Sequence, residues 1–407
     1  MNILFVIPYV PNKIRVRPYN LIKYLIGRGH RLSVITLWSN EKERADLENL
    51  KSFCHQLEAV HLSQARSLWN CLLAVPASHP LQSVYCWTPG AAAKISSLFG
   101  DLNGQHTFDV AHVEHLRGVR YGLYLKKNHP STPVVWDSVD CISLLFQQAA
   151  QRSTKRLNRW LTHFELNRTK RYEGWLLKQF DRTVITSQTD RDALILLDSE
   201  LPDKGSPSVV PNGVDLSYFT EGEFESREPA TLVISGKMSY HANVSMVMHF
   251  LNNILPLIRT SRPDVKVWIV GKDPPKEMVA LGGSEEITVT GTVNDIRPYL
   301  QKAAVAIAPL TYGAGVQNKV LEAMACGVPV VASPKAVSAL ETVSGQDLLV
   351  AEDPLPFADA VLDLLKYPSR RQQIGHAGRK YVEDHHRWET IASQMEGIYN
   401  EVIYNRN

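Results

Sequence analysis

The chain has 407 residues, 44% of them hydrophobic and 21% charged, with a formal net charge of +3. This is the composition of a globular protein long enough for about two or three ordinary domains, and so small a net charge exerts no general pull toward nucleic acid. The five cysteines, Cys54, Cys71, Cys86, Cys141 and Cys326, are odd in number and lack CxxC spacing, which argues against a disulfide framework or a zinc site and suits a reducing cytoplasm.

No apolar run approaches the roughly 18 residues needed to span a bilayer, and the opening MNILFVIPYVP has no basic start and reads as a strand instead of a signal peptide. Residues 3–7 are a short apolar run of the buried-strand kind. The loop 8–18 carries Lys13, Arg15 and Arg17, and an amphipathic helix is expected over about 20–27, followed by a strand over 31–37. Residues 41–100 show little periodicity, although the Trp, Leu and Tyr residues between 67 and 87 suit a helical face. A strand over 108–115 ends in polar groups. Ligands of open parallel sheets gather at strand C-termini, so Glu114, His115 and Arg117 are candidates for a site. His112 and His115 make no metal site without further ligands.

Residues 134–137 read as another strand, after which Asp137, Asp140 and Ser143 are expected to cap a helix, with binding of an acceptor hydroxyl as the alternative. Residues 152–182 read as a long helical region with nine basic and three acidic side chains, interleaved with Trp160, Leu161, Phe164, Trp175 and Leu176. Such a segment either docks on an anionic membrane surface or is a packed helix with a solvated basic face. A strand over 180–187, a helix over 190–197 and a Pro-Asn-Gly turn at 211–213 close the first half.

Strands recur at 232–237, 267–271 and 289–293, and amphipathic helices at 354–367 and 370–384. The stretch 303–333, AAVAIAPLTYGAGVQNKVLEAMACGVPVVAS, reads as strand, small-residue loop, helix stopped by Gly327 and Pro329, and second strand. That is one right-handed crossover. Its loop-to-helix junction presents free N–H groups at the positive end of a helix dipole, a site for phosphate. Glu322, one turn into the helix, is set to reach past a diphosphate to a ribose hydroxyl pair. These residues point to a nucleotide-linked ligand.

Gly315 with the run EAMACGVPVVAS resembles the donor-site signature of the group 1 glycosyltransferases, glycosyltransferase family 4, and the chain is similar to an exopolysaccharide-associated branch of it. The resemblance implies an α/β chain of the GT-B fold, with two doubly wound Rossmann-like domains facing across a cleft and a C-terminal helix crossing back. An acceptor domain is expected over 1–205 with the returning helix 388–407, and a nucleotide-sugar domain over 206–387. Two glutamates eight positions apart contact the donor in the family; Glu322 matches the second, on the ribose, and Ala314 stands at the first.

The diphosphate would lie against Gly315, Val316, Gln317, Asn318 and the helix start, with Gly236 beside it and Lys237 balancing the leaving phosphate. A second family lysine is missing near His241, Ala242 and Asn243; Lys319 either takes its place or lies on the outside of its helix. Gly291, Thr292 and Val293 would border the base, Arg15 and Arg17 the cleft, and Glu114 or His115 the transferring sugar. The implied activity is retaining, metal-independent glycosyl transfer without a cofactor. It would run in the cytoplasm or at the inner membrane face, to a glycan, lipid-linked or small-molecule acceptor of cell-envelope polysaccharide synthesis. Two alternatives share the fold: a nucleotide-sugar 2-epimerase and a non-catalytic nucleotide-sugar binder. A dehydrogenase is disfavoured, because neither half has GxGxxG after its first strand.

Overall fold

The computed structural model describes residues 1–12, 15–100, 108–152, 156–198, 206–283, 286–312 and 316–406 and, within 151–163, the backbone alone. Runs of branched and small apolar residues, buried on both faces, form two parallel sheets, the pattern that sheets covered by helices on both sides require. The chain divides into Met1–Pro211 with Trp388–Asn407, and Asn212–Arg387. The first unit contains β1 (Asn2–Ile7), β2 (Arg31–Trp38), β3 (Gln56–His61), β4 (Val110–Glu114), β5 (Val134–Val139), β6 (Arg182–Ile185) and β7 (Ser208–Val209), ordered β3-β2-β1-β4-β5-β6-β7. The second contains β8 (Glu228–Ser235), β9 (Lys266–Val270), β10 (Ile287–Gly291), β11 (Ala303–Ala308), β12 (Val330–Ala332) and β13 (Leu349–Val350), ordered β10-β9-β8-β11-β12-β13.

Every pairing of neighbouring strands is parallel. Each sheet therefore starts in its middle, runs outward one way, and returns to run the other. The order reverses between β1 and β4 in one unit and between β8 and β11 in the other. Such switch points leave a crevice at the strand C-termini, the place where doubly wound folds take their ligands.

Several elements differ from their sequence readings for local reasons. The helix Val16–Gly27 starts earlier than 20 because Pro18 fits a first helical turn, and this carries Arg17 into the helix. The weakly patterned 41–100 holds the helices Glu41–Lys51, Gln64–Ala74, Leu81–Tyr85 and Pro89–Gly100 around β3. There β3 is an edge strand with mixed exposure, and the helix Gln64–Ala74 turns apolar side chains outward, so neither gives the usual periodic signal. The basic region 152–182 is not one helix: Arg152 ends the helix Ile142–Arg152, Arg156–Leu176 is a second helix, and Arg182 opens β6.

The first turn of the helix Ile142–Arg152 is capped by Glu173, whose carboxylate accepts from the backbone N–H groups of Ile142 (2.9 Å) and Ser143 (3.0 Å). Asp137, expected as a cap, pairs with Arg17 instead. On one face of the first sheet the helix Trp388–Tyr404 packs beside Val16–Gly27. Trp388, Ile391, Ala392, Met395 and Tyr399 are buried there against Ile3, Phe5 and Val34. Tyr399 Oη lies 2.8 Å from His112 Nδ1, which ties this last helix to β4. Among the described residues no helix is long and apolar enough to cross a membrane.

Candidate active site

In the second unit the C-terminal end of β8 turns sharply at Gly236, whose φ of +143° favours glycine. The end of β9 crowds it: a Cβ on Gly271 would collide with the Gly236 carbonyl oxygen. A Cβ on Gly236 would lie 3.0 Å from Asn243 Nδ2 and 3.4 Å from Lys319 Cε, so backbone and two polar side chains already fill this corner. Asn243, buried, clamps it from both sides: its Nδ2 donates to the Lys237 carbonyl at 2.9 Å, and its Oδ1 accepts from Lys319 Nζ at 2.5 Å. Lys319 Nζ also donates to Gln317 Oε1 at 3.3 Å.

The cation beside the β8 end is thus Lys319, reaching back from the helix Asn318–Ala325. Lys237 is exposed, and its ammonium has no partner among the described residues. Glu322 stands one turn beyond Lys319 on the same helix. Burial lifts its carboxyl to about 7 against the pull of Lys319, and burial lowers the Lys319 ammonium to about 8 against the pull of Glu322. The Glu322 carboxylate accepts no hydrogen bond from the described residues. Neither charge is fully compensated, the condition of a site that completes its solvation with a ligand.

Gln317 is the N-cap residue of this helix, and the Oδ1 of Asn318, in its first turn, is buried without a hydrogen-bond partner among the described residues. Val316 packs partly against the core of this unit. Gly315, expected to cradle phosphate, and Ala314, at the place of the first family glutamate, lie outside the described residues. Gly291 ends β10, the sheet edge two strands from the switch point, and Thr292 and Val293 follow it. Gly291 has a φ of +66°, Thr292 is exposed, and Val293 packs partly on the core. The loop after β11 is tied to the helix His241–His249, which follows β8, by Tyr312 Oη, 2.8 Å from His241 Nδ1.

In the first unit the ends of β1 and β4 bring together Tyr9, Glu114, His115 and Arg15. Tyr9 Oη donates to Glu114 Oε1 at 2.7 Å. Burial, reinforced by the charge of Asp137, raises the Glu114 carboxyl to about 8, so it is mostly protonated at neutral pH. His115, half-buried with a φ of +62°, opens the helix His115–Asn128. Its Nδ1 accepts from the Arg117 backbone N–H at 3.2 Å, which assigns the ring proton to Nε2. Burial, helped by the charge of Arg117, depresses the imidazolium to about 3 and keeps the ring neutral. Arg15 lies over the Tyr9 ring at 4.7 Å and pairs with Glu43 at 2.9 Å.

Arg17 does not join this group, which corrects its reading as a ligand-facing cation. Only 3% exposed, it donates from Nε to Asp137 Oδ2 at 2.7 Å and from Nη1 to the carbonyls of Val210 and Pro211 at 3.0 and 3.2 Å. A guanidinium so enclosed is a strut between the helix Val16–Gly27, β5 and the end of this unit. Among the described residues no group of three or more His, Cys, Asp or Glu side chains is placed to hold a metal ion.

Residues 15–218 match the family model described as Glycosyltransferase Family 4, half of the chain, and residues 229–367 match Glycosyl transferases group 1. The chain belongs to glycosyltransferase family 4. A GDP-mannose-dependent monoacylated alpha-(1-6)-phosphatidylinositol monomannoside mannosyltransferase of Corynebacterium glutamicum is 27% identical over 213 residues, 46% of this chain and 55% of the relative. An MMP alpha-(1->4)-mannosyltransferase of Mycolicibacterium hassiacum is 30% identical over 48% of each chain, so the matches span about half the length of these curated relatives. An uncharacterised protein of the Klebsiella pneumoniae cps region is 20% identical over 92% of both chains.

Among solved structures, sucrose-phosphate synthase of Thermosynechococcus elongatus superposes with a TM-score of 0.68 at 16% identity over 100% of both chains. The Anabaena protein HepE in complex with UDP does so at 0.69 and 14% identity, over 98% of this chain and 100% of its own. The fold of this family 4 chain is therefore GT-B, two Rossmann-like domains in one polypeptide.

Asn243 and Tyr9 were not singled out as site groups by the sequence. Asn243 is distinguished only by the partner it meets. Tyr9 had a usable signal, since it lies just past the C-terminal end of the first strand, where a switch point is expected.

Proposed function

We propose that the protein is a retaining, metal-independent glycosyltransferase that moves a sugar from a nucleotide-sugar donor to a glycan or lipid-linked acceptor. The observation that carries this reading is the cluster of Gly236, Asn243, Lys319 and Glu322 at the switch point of the second sheet. Lys319 and the N-terminus of the helix Asn318–Ala325 supply positive charge for a diphosphate. Glu322 supplies acceptor oxygens for the two ribose hydroxyls, and Lys237, exposed at the end of β8, a second cation for the outer phosphate.

In the reaction the bond between the anomeric carbon and the diphosphate oxygen breaks, and an acceptor oxygen bonds to that carbon from the same face. The acceptor proton leaves with the nucleoside diphosphate. Negative charge grows on the departing phosphate, so cations fixed beforehand lower the barrier without having to reorganise. In the first unit His115 is the group proposed to donate from Nε2 to a hydroxyl of the transferring sugar, with Glu114 and Tyr9 holding it in place behind. The names of the mannosyltransferase relatives favour GDP-mannose, and the nucleotide of the solved HepE complex favours a UDP-sugar. A cytoplasmic setting at the inner face of a membrane, in cell-envelope polysaccharide synthesis, completes the reading.

The test is a thermal-shift screen of GDP-, UDP-, ADP- and dTDP-sugars against the purified protein, with and without EDTA. A rise in melting temperature for one nucleotide class, unchanged by EDTA, is the expected result. No shift with any of them, or a shift abolished by EDTA, would overturn the donor or the metal-independent part of the reading.

A further inference from the structure

The helix Gln64–Ala74 is built inside out. An amphipathic helix normally turns its apolar stripe to the core, whereas here Leu68, Trp69, Leu72 and Leu73 are 69%, 55%, 61% and 59% exposed, and Val75 just beyond is 51% exposed. At about 100° per residue these side chains share one arc of roughly 160°, ending beside Arg66. The opposite side is small and polar, and it is the side that packs. Ser67 and Ala74 are buried, and Asn70 Nδ2 donates to the carbonyls of Val84 and Trp87 at 3.1 and 2.8 Å. The start is capped by Ser63, whose side chain accepts from the Arg66 N–H. Both ends are held, since the carbonyls of Ala74, Ala77 and His79 all accept from the Arg168 guanidinium. The outward apolar face is therefore a fixed feature of the unit, too large to be scattered surface hydrophobicity.

Charge identifies the occupant. From Ala59 to Gly100 the chain has no Asp or Glu, while Arg66 borders the apolar arc. Arg168, which holds the helix end, belongs to Arg156–Leu176, a basic helix that exposes Phe164, Arg171 and Trp175. A second copy of the chain on this face would set one acid-free surface against another. An anionic lipid layer instead offers hydrocarbon to the leucines, an interface to Trp69 and negative headgroups to the arginines.

We propose that the helix Gln64–Ala74 is a membrane-docking element that lies in the interface of an anionic bilayer, with Leu68, Trp69, Leu72 and Leu73 among the acyl chains. It deepens the proposed function, resting on its membrane-facing part, and makes this short helix the principal contact, with the basic helix as its electrostatic neighbour.

The experiment floats the full-length protein with vesicles of phosphatidylcholine alone or mixed with phosphatidylglycerol, and compares it with the triple variant Leu68→Gln, Leu72→Gln, Leu73→Gln. These positions are exposed, so the variant should keep its melting temperature and its response to nucleotide sugar. The parent should float with the anionic vesicles, and the variant should lose vesicle binding by about tenfold or more. Equal flotation of the two proteins, or no flotation of the parent, would overturn the proposal. So would a parent dimer that becomes a monomer in the variant while flotation is unchanged, which would assign the face to a second copy. Nucleotide-sugar binding is read on the same samples, so a failure of the transferase reading shows as lost donor response and a failure of docking as lost flotation.

Discussion

Glu322 and Lys319 are three positions apart on one helix, and each is held away from its ordinary ionisation by burial. If Glu322 accepts from the ribose hydroxyls as a carboxylate, it must be ionised, which it is above about 7; Lys319 must be charged for the diphosphate, which it is below about 8. Donor affinity should therefore peak between these values and weaken on either side, by at most about tenfold per pH unit for one required proton. Calorimetric titration from pH 6 to 9 checks this, and Glu322→Gln should remove the acid-side flank alone.

Without ligand the sign for stability is the reverse. A carboxyl raised from 4.5 to about 7 favours the fold most fully below 4.5, and that contribution is lost as the pH climbs through 7. Glu322→Ala should weaken donor binding by about 1–3 kcal/mol, the scale of a lost charged hydrogen bond. Lys319→Met should cost more donor affinity than Lys237→Met, because Lys319 is already fixed by Asn243 and Gln317 while Lys237 must be ordered. The reverse ranking would return the principal phosphate contact to Lys237. The places of Glu322, one turn into its helix, and of Gly236, at the turn after β8, were legible in the sequence because they follow from the local order of strand, turn and helix. The inward turn of Lys319 was not, because it depends on an asparagine 76 positions away.

At the scale of elements, the strand–helix alternation could be read wherever burial was one-sided or complete, as in β1, β4 and β11. It failed where an element sits at an edge or faces outward, as β3 and the helix Gln64–Ala74 do. Arg15 and Arg17 show the same limit: two positions apart in one basic loop motif, they diverge because the helix begins at Val16 and turns Arg17 toward Asp137, 120 positions on. Arg17→Met should lower stability by about 3–5 kcal/mol, the cost of leaving a buried partner charge uncompensated. The double variant Arg17→Met, Asp137→Asn should recover part of that loss. Chemical denaturation reads both. A normal denaturation midpoint with a raised KM would instead make Arg17 a substrate contact.

The whole molecule is a chain that leaves its first unit after Pro211 and re-enters it at Trp388, so that unit is complete only once the last helix has returned. The return is apolar: Trp388 and Tyr399 are among the largest fully buried side chains, and with Ile391, Ala392 and Met395 they close one face of the first sheet. Trp388→Ala should therefore cost about 3–5 kcal/mol, the range for emptying a buried aromatic site. For a unit of this size that lowers the melting temperature by about 6–20 °C.

The loss should be local. The Gly236, Asn243, Lys319 and Glu322 cluster lies wholly within Asn212–Arg387, whose own core includes neither Trp388 nor the helix it opens. Below the lowered transition the variant should still bind nucleotide sugar, while the melting of the first unit, followed by calorimetry, moves down. Loss of donor binding in step with the transition would mean that the second unit depends on the returning helix for its own fold, and an unchanged transition would mean that Trp388 adds nothing to the first.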